Sequence, residues 1–356
     1  MTQKGLRVYA LAPDFDATTR AAVRELGAEP VDISLERTGM SIGRDVADIL
    51  RLTRTLRQLK PGLVFCYFVK PVIYGTIAAW LSGVSRRYSL VAGLGYVFAP
   101  SDIDAKKSFR RRLLRMLVSA LCGTAFRLNR RVFLQNDDDL DILCSAGVLP
   151  RDKAVLVNGT GVDLEYFAFK PPVVTPITFI LIARLLREKG IVEYVEAARR
   201  IKRSHPDARF ILAGDLDSNP SGLREQEVRS WINEGTIEWP GKVIDVREWL
   251  VQSSVFVLPS YYREGKPRST QEALAMGRPI ITTNAPGCRD TVEDGVNGFQ
   301  VPVRNISALE AAMRQFLDNP ALIASMGVAS RRLAARDYDV HQINDQMLEV
   351  MGIDPT

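Results

Sequence analysis

Tyr261-Tyr262-Arg263-Glu264-Gly265-Lys266-Pro267-Arg268-Ser269-Thr270-Gln271-Glu272-Ala273-Leu274-Ala275-Met276-Gly277 is the stretch on which the reading of this chain turns. The apolar run Val255-Phe256-Val257-Leu258 before it reads as a buried strand that ends at Pro259-Ser260. A loop carrying Glu264 and Gly265 follows. Pro267 suits the first position of a helix, where its missing N–H is not needed. The next amides, on Arg268, Ser269 and Thr270, then have no partner inside the helix. Free N–H groups and the positive end of the helix dipole make a place for a phosphate. Glu264 sits beside that place, and Glu272 is expected about two turns into the helix. Each carboxylate can accept hydrogen bonds from sugar hydroxyls.

Two glutamates at this spacing also occur by chance in a chain of ordinary acid usage, and a strand, a loop and a helix with surface charges would look similar. The context is more specific. Gly277 and a second strand, Pro279-Ile280-Ile281-Thr282-Thr283, complete the unit. The whole string resembles the donor-site signature of retaining glycosyltransferases of the two-domain GT-B fold, in the large family often called family 4. The resemblance is strong from about residue 177 to 303 and diffuse before Leu63. It implies an α/β protein built as two doubly wound, Rossmann-like domains facing a cleft.

Composition is compatible with that. The chain has 356 residues, 46% hydrophobic and 25% charged, which suits two soluble domains. Cys66, Cys122, Cys144 and Cys288 are widely spaced, with no CxxC pair, and three of them lie in apolar stretches as small core residues. His205 and His341 are the only histidines, which removes His-based zinc sites and makes a structural metal improbable. The first apolar stretch is too short for a signal peptide and reads as a strand. Residues 74–84 and 116–126 fall well short of the roughly 20 apolar residues of a membrane span. The expected location is the cytoplasm. The net charge of +6 is mild and by itself admits nucleic acid, a membrane surface or phosphorylated ligands.

In the first half, strand-like segments (7–12, 30–35, 63–68, 88–92, 131–135) alternate with helical ones (17–26, 44–59, 70–82, 105–129), as in a parallel sheet covered on both faces. Ligands collect at the carboxyl ends of such strands. Lys70-Pro71 follows the third strand, and Gly93-Leu94-Gly95-Tyr96 follows the fourth. These glycines read equally as tight turns or as close approaches to a substrate. The family resemblance tilts Lys70, Gly93, Gly95 and Tyr96 toward the acceptor side. Many relatives carry a histidine there and this chain has none, so no catalytic imidazole is assigned. Asn136-Asp137-Asp138-Asp139 reads as a capped helix N-terminus more cheaply than as a metal site.

Residues 105–129 open with Lys106, Lys107, Arg110, Arg111, Arg112 and Arg115 and carry an apolar stripe at helical spacing. A solvated helix packed on the sheet would explain this. So would a basic surface resting on anionic lipid, at about 1 kcal/mol per basic residue, and that is the favoured reading. Phe109 is the one aromatic residue among these charges, without the repeated interleaving that stacks on bases, which argues against nucleic acid.

Phe169-Lys170-Pro171-Pro172-Val173-Val174-Thr175-Pro176 reads as an interdomain linker. The expected division is a first domain over 1–168, the linker over 169–176, a second domain over 177–335, and a final segment over 336–356 that in relatives crosses back to the first domain. After the apolar strand 177–183, Arg184 and Lys189 are spaced so that one loop can aim both at one anion, as a departing diphosphate requires. The Arg-x4-Lys-Gly pattern resembles the family's diphosphate clamp. The resemblance further implies a donor site built from Glu272, Gly265, Lys266, Pro267, Arg268 and Ser269, with Gly214, Val243 and Ile244 around the base. Glu264, Arg184 and Lys189 are the expected catalytic groups.

The implied reaction moves a hexose or N-acetylhexosamine, with retention, from a nucleotide diphosphosugar to a lipid-linked saccharide of bacterial surface polysaccharide or glycan synthesis. No metal or other cofactor is expected, and the expected partners are the donor, the lipid-linked acceptor and the anionic inner face of the membrane. UDP-sugar is the first choice and GDP-mannose the second. A sugar-nucleotide epimerase on the same fold, which would act on a free UDP-sugar alone, and a non-catalytic scaffold with an eroded donor site are the alternatives from other classes.

Overall fold

A computed structural model describes residues 1–35, 42–94, 109–217, 219 and 221–353, with backbone alone at Gln3, at Ile42 and over 109–115. The first half holds strands β1 (Val8–Ala12), β2 (Ala28–Asp32), β3 (Leu63–Tyr67), β4 (Arg86–Val91), β5 (Arg131–Leu134) and β6 (Ala154–Leu156). Between them lie helices α1 (Ala17–Glu25), α2 (Ile42–Leu59), α3 (Val69–Leu81), α4 (Phe109–Leu128) and α5 (Asp137–Ser145). β1 pairs with β2, and β3-β4-β5-β6 form a second ladder, all parallel. β2 lies earlier than the expected 30–35. Its register is set by pairing residue for residue with β1, and Pro30 sits in mid-strand, which an edge strand tolerates because nothing needs its missing N–H.

The second half is a six-stranded sheet in the order β12-β11-β10-β7-β8-β9. Its strands are β7 (Thr178–Ile182), β8 (Arg209–Ala213), β9 (Glu238–Gly241), β10 (Val255–Leu258), β11 (Ile280–Thr283) and β12 (Gly298–Val301). Every pairing is parallel. Buried on both sides, the central strands are apolar from Phe179 to Ile182 and from Val255 to Leu258. Phe179, Leu181, Val255 and Val257 enter one core cluster, and Ile180, Ile182, Phe256 and Leu258 enter the other. Helices α6 (Ile191–Lys202) and α10 (Ile306–Asp318) cover the first face, and α9 (Arg268–Ala275) covers the second. Helices α7 (Glu225–Asn233), α8 (Arg247–Leu250), α11 (Ala321–Asp337) and α12 (Val340–Val350) complete the chain. The strand order reverses direction between β7 and β10, so their loops leave toward opposite faces and open a crevice at their carboxyl ends.

The closing segment and the connecting segment both help to tie the halves together. Val162 exchanges backbone hydrogen bonds with Tyr338 and Val340, and Ile343 and Met351 pack against Tyr88, Leu90, Phe133 and Val157 of the first half. Arg278 is fully buried; it donates to the carbonyls of Ser253 (2.7 Å) and Met276 (2.9 Å) and to that of Lys170 in the connecting segment. Burial lowers its guanidinium pKa to about 10. Arg278→Met strands these carbonyls and should destabilise the protein by about 3 kcal/mol in thermal unfolding, with Arg278→Lys recovering only part because one ammonium cannot span the same acceptors.

Candidate active site

The crevice is framed by the loop after β7 and the loop after β10. Tyr261 and Tyr262 both donate their amides to the Glu188 carbonyl, at 2.9 and 3.0 Å, so the two loops are fastened to each other. Gly190 has a left-handed φ of 74°, and a Cβ there would run into the Pro259 carbonyl. This close approach brings Lys189 against Glu264. The two form an ion pair whose side chains are only 13% and 12% exposed. The Ser260 hydroxyl lies 3.2 Å from the same carboxylate oxygen. The Lys189 ammonium also lies 5.3 Å from the centre of the Tyr262 ring. Burial raises the Tyr262 phenol; Glu264 adds to the rise, and both Lys189 and Arg184 oppose it. Arg184 is more exposed and pairs with Asp217 at 2.8 Å.

Pro267 takes the flanking cap position of α9 (φ −60°, ψ 125°), one residue earlier than expected. No side chain caps this helix, so its first amides keep the polarity an anion wants. Glu272 is the fifth helical residue, just over one turn in, nearer to the N-terminus than the sequence suggested. Its carboxylate accepts from Arg268 Nε at 2.9 Å and is 12% exposed. Burial raises its pKa, and the Arg268 charge pulls the other way. Pro267 and Gly265 are buried, Ser269 is half-buried and Arg268 is exposed at the helix start.

Lys266 is turned aside. Its ammonium donates to Asn158 Oδ1 at 2.9 Å and lies 5.5 Å from the centre of the Tyr338 ring. Burial lowers its pKa, against the pull of Asp290, Asp337 and Asp137. Gly214 closes against the Ala183 carbonyl, and its own carbonyl accepts from Trp239 Nε1 at 2.9 Å. Val243 is half-buried, while the Ile244 side chain is fully exposed.

On the first-half side, Lys70 lies 3.6 Å from Asp45 and 5.6 Å from the centre of the Tyr74 ring. Burial raises the Tyr67 phenol, and the charge of Arg268 opposes the rise. Phe68, next to Tyr67, holds a positive φ of 72° and is 57% exposed, with its ring centre 4.0 Å from that of Tyr67, a strained backbone at the end of β3. Sequence reading missed it. Gly93 (φ 87°) packs on the second half: a Cβ there would lie 2.5 Å from the Gly265 amide. Gly95, Tyr96, Lys106 and Lys107 lie outside the described residues, as do the side chains of Arg110, Arg111, Arg112 and Arg115.

The turn between β5 and α5 was read only as a helix start. Asn136 does cap α5, accepting from the Asp139 amide at 2.8 Å. The same turn also reaches across the crevice. Asp139 pairs with Arg263 at 3.0 Å, Asp138 pairs with Arg289, and Gln135 Oε1 accepts from the Lys266 amide at 3.1 Å. No local pattern signals these contacts. Among the described residues no group of three or more His, Cys, Asp or Glu side chains could hold a metal.

Residues 176–319 match the family described as Glycosyl transferases group 1. The N,N'-diacetylbacillosaminyl-diphospho-undecaprenol alpha-1,3-N-acetylgalactosaminyltransferase of Campylobacter jejuni is 24% identical over 96% of this chain and 90% of its own length. The putative colanic acid biosynthesis glycosyltransferase WcaL of Salmonella typhimurium is 30% identical over 55% of this chain, which spans half of that relative. Among solved structures, Anabaena HepE in complex with UDP and glucose superposes with a TM-score of 0.77 at 16% identity, covering 98% of this chain and 93% of that one. The protein is a glycosyltransferase with the GT-B fold, related to bacterial enzymes of polysaccharide and lipid-linked oligosaccharide synthesis.

The raised pKa of Glu272 has a consequence for stability. In the unliganded protein, a carboxyl with a raised folded pKa is best tolerated below its unfolded pKa, and that stability is lost as pH rises through the folded value. Glu272→Gln removes the titration. Its stability relative to wild type should therefore improve between pH 4 and pH 7, as read by urea unfolding at both; a difference that stays flat with pH would refute the assignment.

Proposed function

We propose that this glycosyltransferase takes a hexose or N-acetylhexosamine from a UDP-sugar and transfers it, with retention, to a lipid-linked saccharide in bacterial surface-glycan synthesis. One observation carries the reading: the Lys189–Glu264 pair stands at the strand-order switch point, beside an uncapped helix start, with Glu272 farther along that helix. Each charge neutralises the other in a mostly buried place, where a lone charge would be costly. A nucleotide diphosphosugar offers both a better partner. Its diphosphate takes Lys189, Arg184 and the free amides of α9, and its sugar hydroxyls donate to Glu264. The leaving group then departs into fixed positive charge. Glu272 accepts from the ribose hydroxyls. Arg184 must exchange Asp217 for phosphate, an inexpensive exchange at an exposed ion pair.

UDP is favoured because HepE is described in complex with UDP, and the lipid-linked acceptor because the Campylobacter relative acts on a diphospho-undecaprenol substrate. The membrane side of the proposal rests on the basic start of α4 in the sequence and on Met116 and Leu117, which are 63% and 43% exposed farther along it. Among the described residues no helix is long and apolar enough to cross a membrane. The proposed place of action is the cytoplasmic face, reached by peripheral contact.

Glu272→Ala should weaken UDP binding about tenfold in titration calorimetry, the loss of one charge-assisted hydrogen bond. Glu264→Gln should lower turnover at least tenfold while leaving UDP affinity within about twofold, since the sugar contact is remote from the nucleotide. The activity assay is UDP release from a panel of UDP-sugars and GDP-mannose, with and without a polyprenyl-diphosphate saccharide. Unchanged UDP affinity in Glu272→Ala sinks the ribose assignment. Conversion of a UDP-sugar to its epimer without nucleotide release points to the rival chemistry. Failure to float with anionic vesicles at low salt removes the membrane contact.

A further inference from the structure

The loop that carries Glu264 is gripped along its backbone by the other domain. Arg263 donates through Nε to Asp139 Oδ1 at 3.0 Å, with side chains 9% and 1% exposed. Asn136 Nδ2 lies 3.2 Å from the Glu264 carbonyl and 3.4 Å from that of Gly265, and also 3.2 Å from Asp139 Oδ2. Gln135 Oε1 accepts from the Lys266 amide at 3.1 Å. Gly93 presses on the Gly265 amide from one side, and from another a Cβ on Gly287 would overlap the Gly265 carbonyl. Four consecutive residues, Arg263 to Lys266, are thus fixed by first-domain groups, while the Glu264 carboxylate itself is held by Lys189 and Ser260 of the second.

We infer that Gln135, Asn136 and Asp139 are positioning residues that set the Glu264 carboxylate from the acceptor-binding domain, so that the docking of the two domains completes the site. The inference rests on the role given to Glu264 above. Burial raises the Asp139 carboxyl pKa despite the guanidinium beside it, so keeping that carboxylate charged costs folding free energy. The geometry it fixes is the gain, because small misplacement of a reacting or sugar-orienting group is expensive in rate.

The test uses the full chain and whichever of UDP-glucose, UDP-N-acetylglucosamine and UDP-N-acetylgalactosamine the wild type turns over, with UDP alone as the binding probe. Asp139→Asn should lower kcat about tenfold or more at saturating donor, with UDP affinity within about twofold. Asp139→Asn combined with Arg263→Gln replaces the ion pair by a neutral hydrogen-bonded pair and should recover most of that loss. Gln135→Leu and Gly93→Ala disturb the loop without stranding a charge, and should behave like Asp139→Asn if that variant does not fold. Amide hydrogen exchange at Gly265 and Lys266 should accelerate in Gln135→Leu and Asn136→Ala. A kcat within twofold of wild type in the folded variants, or kcat and UDP affinity falling together, overturns the inference. So does unchanged exchange at those two amides, a readout that stands even if wild type turns over none of the three sugars. Glu264→Gln separates the two claims: if it is fully active, the role of Glu264 itself fails; if it is inactive while the Gln135, Asn136 and Asp139 variants are not, only the positioning role fails.

Discussion

The parallel pairing of β7 with β10 is the constraint from which the rest of the site follows. A right-handed crossover leaves each strand, and because the strand order reverses here the two crossovers go to opposite faces. The carboxyl ends are left uncovered between them. Two loops must then share a narrow space, and they do so through one carbonyl, that of Glu188, which accepts both tyrosine amides. Once fastened, the loops bring an ammonium and a carboxylate together where little water reaches.

Several of the charged groups around the crevice carry a burial penalty. The carboxyls of Glu272, Asp139 and Asp290 are pushed up and the Lys266 ammonium is pushed down, each chiefly by loss of water. In a core selected only for folding, apolar residues would serve as well. Asp139 and Lys266 also make contacts between the two halves, with Arg263 and Asn158, so part of this cost is borne where the halves meet.

Much of this was legible in the sequence because it is local. Alternation of apolar runs with helical spacing points to parallel sheets covered by helices, and the strand, Glu-Gly, Pro and helix succession, through its family resemblance, singles out Glu264 and Glu272 as candidates. Arg184 and Lys189 stand out as candidates by their spacing after an apolar strand and by the family pattern, and nothing in that spacing shows the ion pairs they make. What stayed hidden is non-local. Asp139 and Arg263 are 124 residues apart, and an acidic run after a strand looks the same whether it only caps a helix or also crosses to another domain. Lys266 was grouped with its donor-side neighbours, yet its direction is decided by Asn158 and Tyr338, which no window around residue 266 contains. The β2 boundary shifted for a similar reason: an edge strand's limits are set by its partner, here Val8–Ala12, more than by its own apolar pattern.

The return of α12 to the first half bears on how the chain is made. Tyr88, Leu90, Phe133 and Val157 receive Ile343 and Met351 as packing partners. During synthesis on the ribosome this oily patch emerges early and waits for its cover through translation of the whole second sheet. The domain made first is therefore finished last, and in the interval the nascent chain carries an uncovered surface of the kind that chaperones recognise.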